Sequence, residues 1–388
     1  MKSDWTTAKL SEVAEFNPRE KISAGSVAKK VSMDKLQPFC RDIPGFEMSV
    51  YAGGAKFRNG DTIMARITPC LENGKVSKVN ILSDGEVGFG STEYIVFRAK
   101  EGLMHPDFLY YLISSPVVRE PAIKSMVGSS GRQRVQTNVL QNLEVTLPPL
   151  DIQSQIVSII RDLDDKIALN SRINDNLQQQ ARTLFQSWFA DCETTDWKKG
   201  LLKDVLYLKR DSIKSVNKSA SLPYLPIDSI PMNTFAVSEV RPNEEAKSSL
   251  VAFHTDDIII GAMRVYFHRV IPAPFDGITR TTCFTLTPYD PNYFCFSLLL
   301  CDQESSIQYA QKTSKGSTMP YAIWDSGLGD MPIDIPPKEI ATKFNRAVLP
   351  MVRKIQSSFF ESRALKELRD ALLPRLMSGE LDVSGLDL

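Results

Sequence analysis

The sequence is poor in histidine. Only His105, His254 and His268 occur, and none stands at zinc-ligand spacing from another histidine or from a cysteine, which argues against a structural zinc site. The six cysteines, Cys40, Cys70, Cys192, Cys283, Cys295 and Cys301, form no Cys-x-x-Cys pair. A chain of 388 residues needs no disulfide staples, so reduced thiols and a cytoplasmic location are expected. No apolar run approaches the roughly 18 residues of a membrane span, and the opening MKSDWTTAKL has no apolar signal segment. There is no Gly-x4-Gly-Lys-Ser/Thr loop for ATP and no Gly-x-Ser-x-Gly elbow of an α/β-hydrolase. Charge of either sign is not in excess: 46 Lys and Arg balance 46 Asp and Glu. Coating nucleic acid by bulk charge is thereby disfavoured, since such binding neutralises phosphates, but local basic patches remain open.

What is present is ordinary globular material, 43% hydrophobic and 24% charged, long enough for two or three domains. It is also repeated once. Trp5-x4-Leu10-x2-Val13 returns as Trp197-x4-Leu202-x2-Val205. Gly60-Asp-Thr-Ile-Met-Ala-Arg66 has a partner in Asp256-Asp-Ile-Ile-Ile-Gly-Ala-Met-Arg264, and Gly128-Ser-Ser matches Gly316-Ser-Thr. Leu147-Pro-Pro149 falls on Ile335-Pro-Pro337. Beyond each Pro-Pro stop, apolar residues step by three and four: Ile156, Ile160, Leu163, Ile167, Leu177, Leu184 and Trp188 align with Phe344, Val348, Met351, Ile355, Leu365, Leu372 and Leu376. Both runs turn polar midway, at Asn170 and Asn174 and at Ser358 and Ser362.

Each half therefore predicts a mixed domain with short strands, then one long helix opened by Asp151 or Glu339 at the favourable end of its dipole. A helix of about 40 residues is about 60 Å long and must pack on something of equal length. The other copy is the natural partner, in an antiparallel pair. The fold class expected is α+β, with two tandem α/β domains at 1–149 and 193–337, long helices at 150–192 and 338–380, a tail at 381–388, and a pseudo-two-fold repeat. Pro350, where the first helix has Asp162, predicts a bend or interruption near 349, and the second helix should end near 378.

Two enzyme motifs are weak. Asp290-Pro-Asn-Tyr293 resembles the Asp/Asn-Pro-Pro-Tyr loop of adenine methyltransferases, but the second proline is missing and Val87-Gly-Phe-Gly90 is too short for a cofactor loop. Asp228 with Glu245-Ala-Lys247 can be forced into a nuclease pattern, yet the latter part sits in a polar surface run. Chance accounts for both. The basic residues carry more. Lys56, Arg58 and Arg66, then Arg132, Gln133 and Arg134, and in the second half Arg264, Arg280, Lys315 and Tyr321 lie in loop-rich stretches mixed with Gly, Ser, Thr and Asn. Such a mixture suits phosphate contacts with base-edge hydrogen bonds. Each loop alone is more often a solvated turn; recurrence at matching places in both halves brings the binding reading level with it.

With these features together, the chain resembles the DNA-specificity subunits of type I restriction-modification systems. Leu147-Pro-Pro-Leu-Asp-Ile-Gln-Ser-Gln155 is similar to the start of that family's first conserved helix, and Leu368-Arg-Asp-Ala-Leu-Leu-Pro-Arg-Leu-Met-Ser-Gly-Glu-Leu381 to its usual C-terminal ending. The resemblance implies a non-catalytic subunit with two target recognition domains, each reading half of a split, asymmetric duplex sequence. It implies two modification subunits carrying S-adenosylmethionine, restriction subunits using ATP, and no cofactor, metal or catalytic residue in this chain. Phe185, Trp188, Phe189, Phe359 and Phe360 exceed what a two-helix seam buries and are expected to receive helices of the modification subunits or to pack on the recognition domains. The second half lacks the glutamines found at Gln153 and Gln155. A stand-alone DNA methyltransferase with a cryptic cofactor site, and a protein-binding coiled-coil scaffold, are the competing readings.

Overall fold

A computed structural model of the chain describes residues 4–129, 131–190, 197–210, 212–213, 222–237, 239–246 and 249–383. It divides into two compact units, Met1–Ala168 with Leu365–Leu388, and Leu169–Ala364. Cys192, Ser130 and Lys247 lie outside the described residues.

In the first unit a four-stranded sheet runs Ala14–Phe16, Tyr94–Ala99, Thr62–Ala65, Val76–Lys78, all antiparallel. A second sheet runs Glu47–Val50, Val27–Val31, Gly88–Gly90, Lys56–Phe57. Thr6–Lys9 pairs with Glu144–Leu147 and so closes the domain next to the Pro-Pro stop. Helices Pro106–Ser114 and Pro116–Lys124 each start on a proline, whose missing N–H costs nothing in the first turn. The first of these buries Phe108, Leu109, Tyr111, Leu112 and Ile113.

The second unit repeats the plan. Leu206–Leu208, Cys283–Pro288, Ile258–Gly261 and Val270–Pro272 form its four-stranded sheet, and Lys198–Leu201 pairs with Pro332–Ile335. Helices Phe294–Cys301 and Glu304–Lys312 follow. The repeat extends to single hydrogen bonds. Asp61 accepts from the Arg58 amide at 2.7 Å and Asp257 from the His254 amide at 2.7 Å, each capping the turn into its central strand. Each buried carboxylate then takes a cation, Arg98 at 2.7 Å and Lys209 at 2.6 Å. The preceding residue is left-handed in both copies, Gly60 at φ 90° and Asp256 at φ 73°, glycine being free there and aspartate among the side chains that tolerate it.

The long helices are Leu150–Phe185, continued by a π turn at Gln186–Ala190, and Lys338–Met377. In the first unit Asp164 accepts from Arg369 at 2.8 Å, and Ile156 and Ile160 share a core with Leu373 and Leu376. In the second unit Asn170 donates to Glu361 and Ser362, and Phe185 meets Phe344. Partner numbers fall as the first helix advances, so the helices run antiparallel in each unit, as expected.

Two expectations need correction. The second helix is not interrupted at Pro350: hydrogen-bonded helix runs from Lys338 to Met377. Pro350 and Arg346, whose carbonyl loses its donor, are both exposed, so water can satisfy that carbonyl. The seam is also less apolar than its spacing predicts. Leu163, Ile167, Leu177, Met351 and Leu365 are only half-buried, while Asp164, Asn170, Asn174 and Gln178 are buried. Several of these polar groups find dedicated partners. Gln178, for example, donates to the Asn233 carbonyl at 3.2 Å and accepts from the Phe235 amide at 3.0 Å.

Gln153 is buried and bonds the His105 amide at 2.8 Å and the Leu103 and Pro148 carbonyls at 3.2 and 3.0 Å. Buried Ala341 stands in its place in the second unit. There the Tyr293 hydroxyl donates to the Pro336 carbonyl at 2.9 Å, and the Cys295 amide donates to Asn345 at 3.1 Å. The missing glutamine is thus replaced by different side chains doing the same tethering.

His268 helps tie the first long helix to the domain of the second unit. Its Nε2 lies 3.0 Å from the Asp302 carbonyl and 3.1 Å from the Asp302 carboxylate, which also takes two hydrogen bonds from Arg182. Glu304 is 3.6 Å from Nδ1. The Asp302 hydrogen bond holds the imidazole above its ordinary 6.5, against burial and the Arg182 charge. A raised value means that protonated His268 contributes stability fully below about pH 6.5, a contribution lost as pH rises through the folded value. Thermal melts of the wild type should show this loss as pH rises above about 6.5. His268→Asn, which suits the left-handed φ of 49°, should be less stable at low pH and lack that slope. An unchanged slope would remove His268 as its source.

Candidate nucleic-acid interface

Both units build one surface from the same backbone frame. The central strand ends at Ala65, opposite Tyr94, and at Gly261, opposite Cys283. The next amide, Arg66 or Ala262, donates to the carbonyl of Glu93 or Thr282 at 2.9 Å. A hairpin then folds over this point. Val127 and Arg134 exchange backbone hydrogen bonds in the first unit, Lys315 and Tyr321 in the second. Val135 donates to the Arg66 carbonyl at 2.9 Å, and Ala322 to that of Ala262 at 2.8 Å. Gly128 at φ 139° and Gly316 at φ 87° make these turns possible; a Cβ on Gly128 would sit 2.9 Å from the Arg132 carbonyl oxygen.

Arg66, Arg132, Gln133 and Arg134 are therefore brought together. Arg132 is exposed, and the Gln133 amide donates to the Thr68 hydroxyl at 2.8 Å. Arg134 bonds Glu93 through Nε at 3.0 Å to both carboxylate oxygens, and its charge holds that carboxyl below the usual range. Arg66 is half-buried, with Nη2 3.5 Å from the Val135 carbonyl and no partner on its interior Nε. It shares a cleft of about 620 Å³ with Lys56, Arg19 and Lys21. Lys56 donates to the Glu20 carbonyl at 2.7 Å, and Arg58 pairs with the Glu20 carboxylate at 2.6 Å.

In the second unit Arg264, Lys315 and Tyr321 are exposed on the hairpin face. Arg280 is exposed at the end of strand Gly277–Arg280, in the three-stranded sheet. Arg66 and Arg264 are not equivalent, although their sequence elements match: by hydrogen bonding Ala262 takes the place of Arg66, and Arg264 that of Thr68. Sequence reasoning missed Glu93, Arg19 and Lys21. Glu93 heads the apolar run Tyr94-Ile-Val-Phe97, and nothing in its neighbours signals a partner 41 residues away.

The aromatic group expected to receive partner helices is mostly used inside the second unit. Phe185 and Phe359 are buried, which corrects their place on an exposed strip. Trp188 and Phe189 are half-buried against Phe344, at 5.6 and 4.7 Å between ring centroids. Phe360 is 46% exposed. Neither enzyme motif gathers a site. Asp290 caps the turn Pro291–Tyr293, accepting from the Asn292 amide, and pairs with Lys338 at 2.8 Å, which pulls its carboxyl down to about 2. Asp228 pairs with Arg241 at 2.7 Å. Among the described residues no group of three or more His, Cys, Asp or Glu could hold a metal, and no helix is long and apolar enough to cross a membrane.

Residues 2–179, which include the whole first hairpin, match the family model described as a type I restriction modification DNA specificity domain. Across 98% of this chain and 100% of its own length, the HindI specificity subunit of Haemophilus influenzae is 22% identical. The N-terminal part of this chain thus matches a type I DNA-specificity domain, and the chain along its length is similar to type I specificity subunits. The MjaIX specificity subunit of Methanocaldococcus jannaschii is another such relative, 25% identical over 74% of this chain and 71% of its own. The type I restriction-modification S subunit from M. genitalium shares the fold, with a TM-score of 0.57 at 14% identity and 96% of each chain covered.

Proposed function

We propose that this specificity subunit reads a bipartite, asymmetric duplex target, one half-site per recognition domain at 1–149 and 193–337, and docks two modification subunits and restriction subunits. The observation that carries this reading is the repeated hairpin frame presenting different side chains, Arg134 in one domain and Tyr321 in the other. One frame used twice meets DNA twice; different side chains on it make the halves of the target different. Lys56, Arg58, Arg66, Arg132, Gln133, Arg264, Arg280 and Lys315 supply the remaining contacts. Phe360 and the half-buried Trp188 and Phe189 are the docking positions left for a modification-subunit helix. S-adenosylmethionine and ATP belong to the partners, and the assembly works on cytoplasmic DNA.

The long helices then act as the ruler between half-sites. One heptad added to both lengthens each by about 10 Å, or about 3 bp of duplex. With modification subunits co-expressed, the preferred spacer should grow while both half-sites keep their bases. A change in the bases read, with the spacer fixed, would refute the ruler.

A further inference from the structure

We propose that positions 134 and 321 decide which base each domain selects, and that Arg134, held by Glu93, reads a guanine. This rests on the DNA-reading function proposed above. The two positions are equivalent by every backbone contact around them. Arg134 bridges to Val127 and Ile67, as Tyr321 does to Lys315 and Met263. Beneath them the Arg66 and Ala262 amides donate to Glu93 and Thr282. The frame is constant, and two of its side chains change as a pair: Glu93 with Arg134 becomes Thr282 with Tyr321.

The Glu93–Arg134 geometry separates base reading from phosphate holding. Arg134 Nε contacts both Glu93 oxygens at 3.0 Å and Nη2 contacts Oε1 at 2.5 Å. That fixes the guanidinium plane and spends one edge of it. The far edge keeps parallel N–H donors on Nη1 and Nη2, the pattern that matches guanine O6 and N7. A phosphate clamp gains nothing from an adjacent carboxylate, which would repel the phosphate. Arg66 is the opposite case. It has no carboxylate hydrogen bond and shares its cleft with Arg19, Lys21 and Lys56, while the one acid there, Glu20, is already paired with Arg58 and Arg98 at 2.6 and 2.8 Å. Arg66 holds phosphate beside the base that Arg134 reads. Tyr321, 47% exposed and without a carboxylate beneath it, offers one hydroxyl and an aromatic face and cannot make the same selection.

The test uses the full chain co-expressed with its modification subunits, and duplexes randomised over both half-sites at several salt concentrations. Arg134→Ala should lose guanine preference at one position of one half-site by roughly tenfold to a hundredfold, leaving the other positions and the salt slope nearly unchanged. Glu93→Gln, a positioning change, should weaken the same preference while non-specific affinity holds or rises; a merely structural loss would lower both. Arg66→Ala should weaken all sequences alike and lower the salt slope by about one. Exchanging Glu93→Thr together with Arg134→Tyr should abolish the guanine preference at that position alone. Loss of affinity for every sequence in Arg134→Ala, with a slope lower by about one and no position altered, would make Arg134 a phosphate contact and overturn the proposal. A wild type without any sequence preference would overturn the DNA-reading function itself, a result visible before any variant is compared.

Discussion

Phe344→Ala will lower the unfolding free energy of the second unit by about 3–5 kcal/mol. Phe344 is fully buried, and its ring meets Phe189, Trp188 and Phe185 at 4.7, 5.6 and 6.1 Å between centroids. It joins the second long helix to the end of the first and, through Phe189 and Phe185, to Phe296 of the recognition domain. Alanine is the best helix former, so the helix itself is not weakened and the measured loss is packing. The surrounding rings are anchored on the first long helix with its π turn and on helix Phe294–Cys301, and cannot all move in to fill the space. Denaturant unfolding should show a lower midpoint with unchanged slope. Phe360→Ala, at a position 46% exposed, is the comparison and should cost well under about 1 kcal/mol. Equal losses at both positions would mean that Phe344 is not the centre of this core.

In the first unit the largest effect is expected at Asp164. Its carboxylate takes Arg369 Nη1 at 2.8 Å and the Tyr111 hydroxyl at 2.9 Å, with its side chain 7% and that of Arg369 11% exposed. Arg41, alongside, bonds Asp42 and Asp165 at 3.0 and 2.5 Å. Asp164→Ala leaves the Tyr111 hydroxyl without its acceptor and the buried Arg369 with only the exposed Asp370, 2.8 Å from Nη2, and should cost about 3 kcal/mol. Most of that is the penalty of an Arg369 whose buried Nη1 has lost its carboxylate rather than the worth of the pair. Asp164→Leu combined with Arg369→Leu should therefore recover a large part of the loss, read by denaturant unfolding of both variants. If the double variant were as damaged as the sum of the single changes, desolvation would not be the main term. Among the described residues of the second unit the junction is fastened differently. There Arg353 pairs with Asp256 at 2.5 Å, and Gln356 donates to the Ala273 carbonyl at 2.9 Å, different side chains fastening the same junction.

Much of the architecture was legible because its signals are local or periodic. The Pro-Pro stops, the three-and-four spacing beyond them and the two Trp-x4-Leu-x2-Val openings are readable without tertiary contacts. The matching elements Gly60–Arg66 and Asp256–Arg264 were visible as a repeat, and the structure shows Asp61 and Asp257 each capping its own turn three residues back. The polar middle of the long helices was visible too, at Asn170 and Ser358.

Where the sequence was misread, the deciding partner is distant. Pro350 implied a break, but the cost of a helical proline depends on whether the freed carbonyl reaches water, and only the fold places Arg346 and Pro350 on the solvent side. Phe185 and Phe359 looked like surplus aromatic surface because spacing along a helix says nothing of the domain waiting beside it.

By itself the sequence determined the repeat, the two long helices and the resemblance to specificity subunits, since each rests on spacing within a segment or on matching segments end to end. Tertiary structure alone decided that Glu93 holds Arg134, that Arg66 and Arg264 are not counterparts, and that His268 meets Asp302. These are pairings across 34 or more residues, set by strand register and hairpin geometry. Side-chain hydrogen bonds act over about 3 Å, and no composition or period encodes which two distant residues the backbone will bring that close.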